Sequence, residues 1–352
     1  MVRQAHHERV YIFFLKRLPK KATCSSRPVP AGAVRAHCGH AESRSTVTVI
    51  APTRYSGACM LTNSKAAIID SIFSATLTPG LFDRFAQFIQ QRCGIRIERS
   101  KQPMLEGRLR KRMRALLLPT FESYADYLFD QSNSNTDEIV NFLDTITTNK
   151  TDFFREAPHF DYLRSTVLTE FMAQCGRRDV STFRIWSAGC STGEEPYSLA
   201  MVLNEFAEKN AAFSYAILAT DLCARALAVA KSGIYDIDQL DDVNPEYRRR
   251  YFSFNRTPDR RRVCILPELR ENVVFKRFNF MTPVFPIRQP LQAIFCRNVM
   301  IYFDRPTREQ LISRLIGKLA PGGYLFTGHS ESLAGYRTCL KPVATAVYQK
   351  PR

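Results

Sequence analysis

The stretch "FRIWSAGCSTGEEPYSLAMVL" (residues 183–203) decides the fold. An apolar run, Phe183 to Trp186, leads into the small residues Ser187 to Gly193, then two glutamates, then a helical stripe of Leu199, Val202, Leu203 and Phe206. The pattern reads as a buried strand, a tight loop and an amphipathic helix. Gly189 and Gly193 let the backbone approach a ligand closely. Ser191 or Thr192 is expected to cap the helix that begins near Glu194, and Pro196 suits a first turn. The loop ends in acids where a phosphate cradle needs lysine, and neither GxxxxGK[ST] nor a full GxGxxG is present. Taken alone, the loop fits a structural turn as well as a ligand site.

Working outward, "YAILAT" (215–220), "LQAIFC" (291–296) and "GYLFTG" (323–328) are further short apolar runs. A second helical stripe, Leu311, Leu315, Ile316 and Leu319, lies between the last two. Buried strands alternating with amphipathic helices predict an α/β, doubly wound sheet. Asp221 follows the second strand, 28 residues beyond Gly193. In such folds an acid there grips a ribose diol, and as a local alternative it caps the next helix. Residues 245–277 interrupt the alternation with β-like runs and a basic turn, "RTPDRRR", and are expected to form an inserted antiparallel subdomain. Upstream, Phe82, Phe85, Phe88 and Ile89 follow a helical period closed by Gly94. "MLEGRLRKRMRALLL" (104–118) sets Leu105, Leu109, Met113 and Leu116 against a basic face, and two further helices fit 121–131 and 135–147.

The expected organisation is therefore a disordered or spurious extension (1–75), a small helical domain (76–148), a linker opening the catalytic domain (149–180) and the α/β domain (181–350). The formal charge is +17, and residues 1–59 hold ten Lys or Arg against two acids. Such a balance invites an anionic partner. No apolar run reaches the roughly 18 residues of a membrane span, and "VYIFFL" (10–15) lacks a signal-peptide cleavage site. Ten cysteines occur without CxxC spacing and read as buried thiols. "HCGH" (37–40), with Cys24 and Cys59, matches no zinc pattern, so no metal is expected.

The acids at the helix mouth suit S-adenosylmethionine. It carries no phosphate, its ribose diol fits Asp221, and a carboxylate such as Glu195 can pair with its cationic methionyl end. A pyrophosphate would be repelled there.

Five blocks are far more specific than the loop: "TTNKTDFFREAPHF" (147–160), "WSAGCSTGEEPYSLAM" (186–201), "AKSGIYD" (230–236), "IFCRNVMIYFD" (294–304) and "GGYLFTGHSESL" (322–333). In this order, over about residues 78–350, the chain resembles the bacterial chemotaxis receptor glutamate O-methyltransferases. The resemblance implies an S-adenosylmethionine-dependent methyltransferase domain with a small N-terminal helical domain and an inserted antiparallel β subdomain. Carried over residue by residue, donor binding falls to Asn149, Thr151, Arg155, Glu195, Asp221, Asn279, Phe280, Arg297 and Asn298. Tyr302 lies near the transferred methyl, and Arg155 and Tyr302 are the catalytic pair. Gly189 and Cys190 stand where the family also has alanines, and all are small; Phe280 stands where an aliphatic residue is common, and its backbone can serve equally.

The implied reaction is in-line attack by a glutamate carboxylate, already ionised with an ordinary pKa of about 4.3, so no general base is needed. His159 and His329 are accordingly read mainly as structural hydrogen-bonders. Arg108, Arg110, Lys111, Arg112 and Arg114 are candidates to dock the glutamate-rich helices of methyl-accepting receptors. The β subdomain is a candidate to take a receptor tail peptide as an added strand. The expected protein is a cytoplasmic monomer recruited to membrane-bound receptor arrays, with no nucleic acid partner. The rival readings are a nucleic-acid methyltransferase and a non-catalytic donor-binding scaffold. The strand end "CRNVMIYF" lacks the prolines of base-amino methyltransferases.

Overall fold

A computed structural model describes residues 57–130, 136–174, 181–254 and 261–352. "HCGH", Cys24 and most of the basic leader lie outside the described residues. Among the described residues no helix is long and apolar enough to cross a membrane.

The helical domain holds α1 (Gly57–Ser74), α2 (Pro79–Cys93), a 3₁₀ turn (Arg99–Lys101), α3 (Gln102–Leu116), α4 (Phe121–Phe129) and α5 (Thr136–Ile146). α1 corrects the expected extent of the irregular leader. Ile68 and Ile72, spaced four apart, turn one helical face onto the domain core, where Ile72 is fully buried. α2 starts where Thr78 accepts a hydrogen bond from the Leu81 amide and Pro79 presets φ, and it ends at left-handed Gly94. Phe85, Tyr124 and Phe142 pack with Leu105, Leu109 and Met113 into one core.

After the linker come α6 (Pro158–Tyr162), a π-helical turn (Leu163–Val167) and α7 (Leu168–Gln174). The α/β domain runs β1 (Ser181–Ala188), α8 (Glu194–Lys209), β2 (Phe213–Asp221), α9 (Ala224–Ser232), β3 (Ile234–Asp236), α10 (Pro245–Tyr251), β4 (Phe252–Ser253), β5 (Arg262–Ile265), α11 (Pro267–Arg270), β6 (Val273–Arg277), β7 (Leu291–Cys296), α12 (Arg305–Ile316), β8 (Leu319–Thr327), β9 (Lys341–Ala344) and β10 (Val347–Gln349). The large sheet has the order β6-β2-β1-β7-β8-β10-β9. It is parallel from β6 to β8, with β10 and β9 antiparallel at one edge. Alternate residues of β1 feed opposite cores. Phe183 and Ile185 meet α8 through Leu199, Val202 and Leu203, whereas Trp186 and Ala188 share a cluster with Leu311, Ile312 and Leu315 of α12. Burial on both faces explains why these strands read as continuous apolar runs. Leu319, expected in the helical stripe, instead opens β8, because α12 ends at Ile316.

Chain order reverses between β1 and β7, so a crevice opens at their carboxyl ends. The inserted antiparallel sheet is present, with order β3-β5-β4, but its expected limits of 245–277 need correction. It begins at β3, where Tyr235 pairs with Val263. It ends before β6, which pairs parallel with β2 (Ala219 opposite Phe275) and so belongs to the large sheet.

Candidate functional site

The crevice is a cleft of about 800 Å³, walled by the helical domain on one side and the carboxyl ends of β1, β2 and β7 on the other. All nine residues assigned to the donor line it, and so does Tyr302. Of the five basic residues of α3, Arg108 alone reaches it.

The floor is the turn after β1. Gly189 has φ +93°, and a Cβ there would collide with Val299. Gly193, at φ +100°, occupies the cap position of α8, and a Cβ on it would stand 2.8 Å from Ala230 Cβ and from the Tyr235 hydroxyl. Neither Ser191 nor Thr192 caps this helix, contrary to expectation. The Ser191 hydroxyl donates to the Asn149 carbonyl (2.7 Å), and Thr192 donates to the Glu194 carboxylate (2.7 Å). The turn is thus held by left-handed glycine geometry, which frees Ser191 to tie the linker to the loop.

Asp221 is half-buried at the tip of β2. One carboxylate oxygen accepts from the Ser191 amide and the other from the Cys223 amide, both at 2.8 Å. Burial raises its pKa above the ordinary range, against the lowering effect of those amides. Each oxygen keeps lone-pair capacity for a further donor, which is what a vicinal diol requires. The first amides of α9 are met by other groups: Cys223 Sγ accepts from the Ala226 amide (3.4 Å), and the Asp144 carboxylate, at the end of α5, accepts from the Ala224 (2.8 Å) and Arg225 (3.0 Å) amides. This bond joins the helical domain to the α/β domain beside the cleft.

Glu195 accepts from the Ser187 hydroxyl (2.6 Å) and from Arg297 Nε (2.7 Å). The buried Arg297 also donates to the Arg155 carbonyl (2.7 Å) and lies 3.1 Å from His159 Nδ1. Glu195 therefore enters the site with its charge offset by Arg297, which modifies the expectation of a carboxylate free to pair with a cationic ligand. His159 is driven down to a pKa of about 4 by burial and then by Arg297, so it is neutral at pH 7. Its Nε2 lies 3.2 Å from the Thr345 carbonyl, which leaves neither ring nitrogen free for acid–base work. Glu156, His159 and His329 bring ligand-type atoms within 4.8 Å of one another, the kind of cluster that can hold a metal. The Arg297 guanidinium already puts a cation against His159 Nδ1 there.

The turn after β7 carries Asn298 at φ +56° and leads into the 3₁₀ turn Met300–Tyr302. Its conformation is fixed by Glu331, which the residue-by-residue reading missed although it lies in a quoted block. This buried carboxylate accepts from the amides of Asn298 (2.6 Å), Gly328 (2.8 Å) and Ile301 (3.1 Å). Asn279 is pinned across the cleft by donating to the Arg92 carbonyl (2.6 Å). The Phe280 ring packs against Trp186, Phe278 and Phe285. Asn149 Nδ2 lies 3.3 Å from Cys223 Sγ, Arg155 donates to the Lys150 carbonyl (3.1 Å), and Thr151 is half-buried on the wall.

The basic face of α3 is less available than its sequence suggests. Arg110 donates to the Ala75 carbonyl (2.8 Å) and pairs with Glu106 (3.1 Å). Arg112 pairs with the buried Glu138 (Nε, 3.0 Å), which also accepts from the Tyr124 hydroxyl. Arg114 donates to the Arg110 carbonyl and lies over Phe73. Lys111 is exposed, and Arg108 donates to the Ile146 carbonyl and to Thr148 at the cleft wall.

A seven-stranded doubly wound sheet with a cleft at its switch point, floored by a glycine turn and an acid on the second strand, is the arrangement of the S-adenosylmethionine-dependent methyltransferases, the class to which the family match assigns the chain. Residues 149–348 match the family model described as "CheR methyltransferase, SAM binding domain", and residues 81–147 match "CheR methyltransferase, all-alpha domain". The chain belongs to the CheR methyltransferase family. It is 39% identical over 258 residues to a chemotaxis protein methyltransferase of Salmonella typhimurium, covering 73% of this chain and 85% of that one. It is 35% identical over 275 residues to the chemotaxis protein methyltransferase of Borreliella burgdorferi, covering 78% and 95%.

Proposed function

We propose that this protein transfers the methyl group of S-adenosylmethionine to glutamate side chains on the cytoplasmic helices of chemoreceptors, forming methyl esters. The observation that carries the reading is that Asp221, Arg155 and Tyr302, drawn from three separated segments, line one cleft. Its volume is within the roughly 300–1,000 Å³ range of small-molecule sites. The donor supplies a sulfonium methyl; the acceptor oxygen forms the new C–O bond while the C–S electrons pass to sulfur.

In this reading Asp221 grips the ribose, and the Gly189 turn lets the backbone approach. Asn149, Thr151, Glu195, Asn279, the Phe280 backbone and Asn298 frame the rest of the donor. Arg297 acts beneath it by holding Glu195 and the Arg155 carbonyl in place. Arg155 and Tyr302 orient the acceptor carboxylate and the methyl in line, and such positioning contributes up to roughly 7–11 kcal/mol. A carboxylate nucleophile arrives deprotonated, which agrees with a His159 that is neutral and fully hydrogen-bonded. No metal has a role in this scheme. For docking, the inward ties of Arg110 and Arg112 shift the burden to Arg108, Lys111 and Arg114. The exposed edge of the β3-β5-β4 sheet is offered for a receptor tail.

The test is incubation with methyl-labelled S-adenosylmethionine and receptor-bearing membranes. Alkali-labile label on a protein of receptor size is the expected result. Label that resists alkali, or label on nucleic acid alone, would reject the reading.

A further inference from the structure

The cleft is lined by eight Lys or Arg against four Asp or Glu, so its mouth is cationic. Most of these charges are engaged. Arg297 pairs with Glu195, Arg305 with Glu309 (3.1 Å) and Arg96 loosely with Glu98 (3.9 Å). The guanidinium groups of Arg108, Arg155 and Arg308 donate to backbone carbonyls. Among the described residues two cleft-lining lysines differ: Lys101 and Lys150 are both exposed, and neither ammonium has an ion-pair or hydrogen-bond partner. Lys101 belongs to the 3₁₀ turn before α3, whereas Lys150 lies in the linker, where its carbonyl accepts from Arg155. Lys150 also stands between Asn149 and Thr151, and the Asn149 carbonyl is tied to Ser191 of the glycine turn. An unpartnered ammonium is thereby fixed, through its backbone, beside the reacting centre rather than on an outer helix face.

We infer that Lys150 is a specificity-determining residue for the acceptor: its ammonium pairs with a second carboxylate adjacent to the glutamate being methylated. On a helical acceptor, acidic side chains three or four residues apart lie on one face, about 5–6 Å between Cβ atoms. One carboxylate can then enter the cleft while its neighbour meets the rim. Lys150 thus favours acceptors with clustered acids over those with an isolated glutamate. The inference rests on the proposed acceptor class and adds a selection rule to it.

The test compares wild type, Lys150→Met and Lys150→Arg on receptor-bearing membranes and on receptor in which the acids flanking a methylated site are changed to glutamine. Binding of S-adenosylhomocysteine is measured in parallel. Lys150→Met is expected to lower kcat/KM about two- to fivefold at low salt, the scale of one partly exposed ion pair. The deficit should shrink as salt rises, Lys150→Arg should restore the rate, and wild type and Lys150→Met should converge on the glutamine-flanked receptor. Equal kcat/KM for wild type and Lys150→Met, with the same salt dependence, would overturn the inference while leaving the proposed reaction intact. Weaker nucleoside binding by the same factor would also overturn it, by assigning the ammonium to the donor. Absence of transfer by wild type would remove the proposed function itself.

Discussion

Replacing Arg297 by methionine isolates the charge arrangement under the cleft. Arg297 is 6% exposed and Glu195 is 8% exposed, and they meet at 2.7 Å. Methionine keeps the apolar packing against Phe160 and Phe295, over which the guanidinium lies. It strands the Glu195 carboxylate with Ser187 as its remaining partner and leaves the Arg155 carbonyl without its donor. Removing one partner of a buried pair costs about 3–5 kcal/mol. Adding Glu195→Gln removes the stranded charge, and should return about 1–3 kcal/mol of that loss. Urea unfolding of wild type, both single variants and the double variant completes the cycle. A second signal comes from His159: burial and then Arg297 hold its pKa down to about 4, so the single variant should raise it, as followed by imidazole NMR. A cost under about 1 kcal/mol for Arg297→Met, or a double variant as unstable as the sum of the singles, would refute the idea that the two groups share one compensated buried charge.

Glu194 is buried and its pKa is raised to about 7, chiefly by burial. Its folded value lies above its ordinary 4.5, so its stabilising contribution is complete below about pH 4.5 and is lost as pH rises through about 7. Glu194→Gln should therefore gain stability relative to wild type between pH 5 and 8, tracked by thermal unfolding across that range; a constant difference would contradict the assignment. Asp144→Ala should cost about 1–2 kcal/mol by removing both acceptors at the start of α9, and Asp144→Asn should also be destabilising, because its amide keeps one acceptor and turns an NH2 toward the second N–H; wild-type stability for either variant by urea unfolding would contradict the role. Gly189→Ala should weaken nucleoside binding because φ +93° and Val299 both oppose a Cβ, and Val299→Ala should recover part of the loss in calorimetry; no change in affinity would free the turn from any role.

The core of this protein was legible where sequence signals are local. The run 183–203 announces strand, turn and helix because burial on both faces of β1 demands continuous apolar residues and the turn demands glycine. The residues that the resemblance assigns to the donor converge because the ends of β1, β2 and β7 meet at one switch point. Long-range pairing was not legible. The partners of Arg110 and Arg112 include Ala75 and Glu138, which no local pattern reveals, so a helix face that reads as a docking surface is partly internal. β6 joins the large sheet although its five residues resemble those of the insertion that precedes it. Glu331 and Asp144 act on backbone amides 30 to 81 residues away, beyond any spacing argument.

The proposed reaction requires that one cleft hold the nucleoside through Asp221. Titration of the folded protein with S-adenosylhomocysteine, wild type against Asp221→Asn, tests it most directly. Loss of a charge-assisted hydrogen-bonding group corresponds to about 1.5–3 kcal/mol, so the variant should bind at least about tenfold more weakly. No heat with wild type, or equal affinity for the two proteins, would contradict the account.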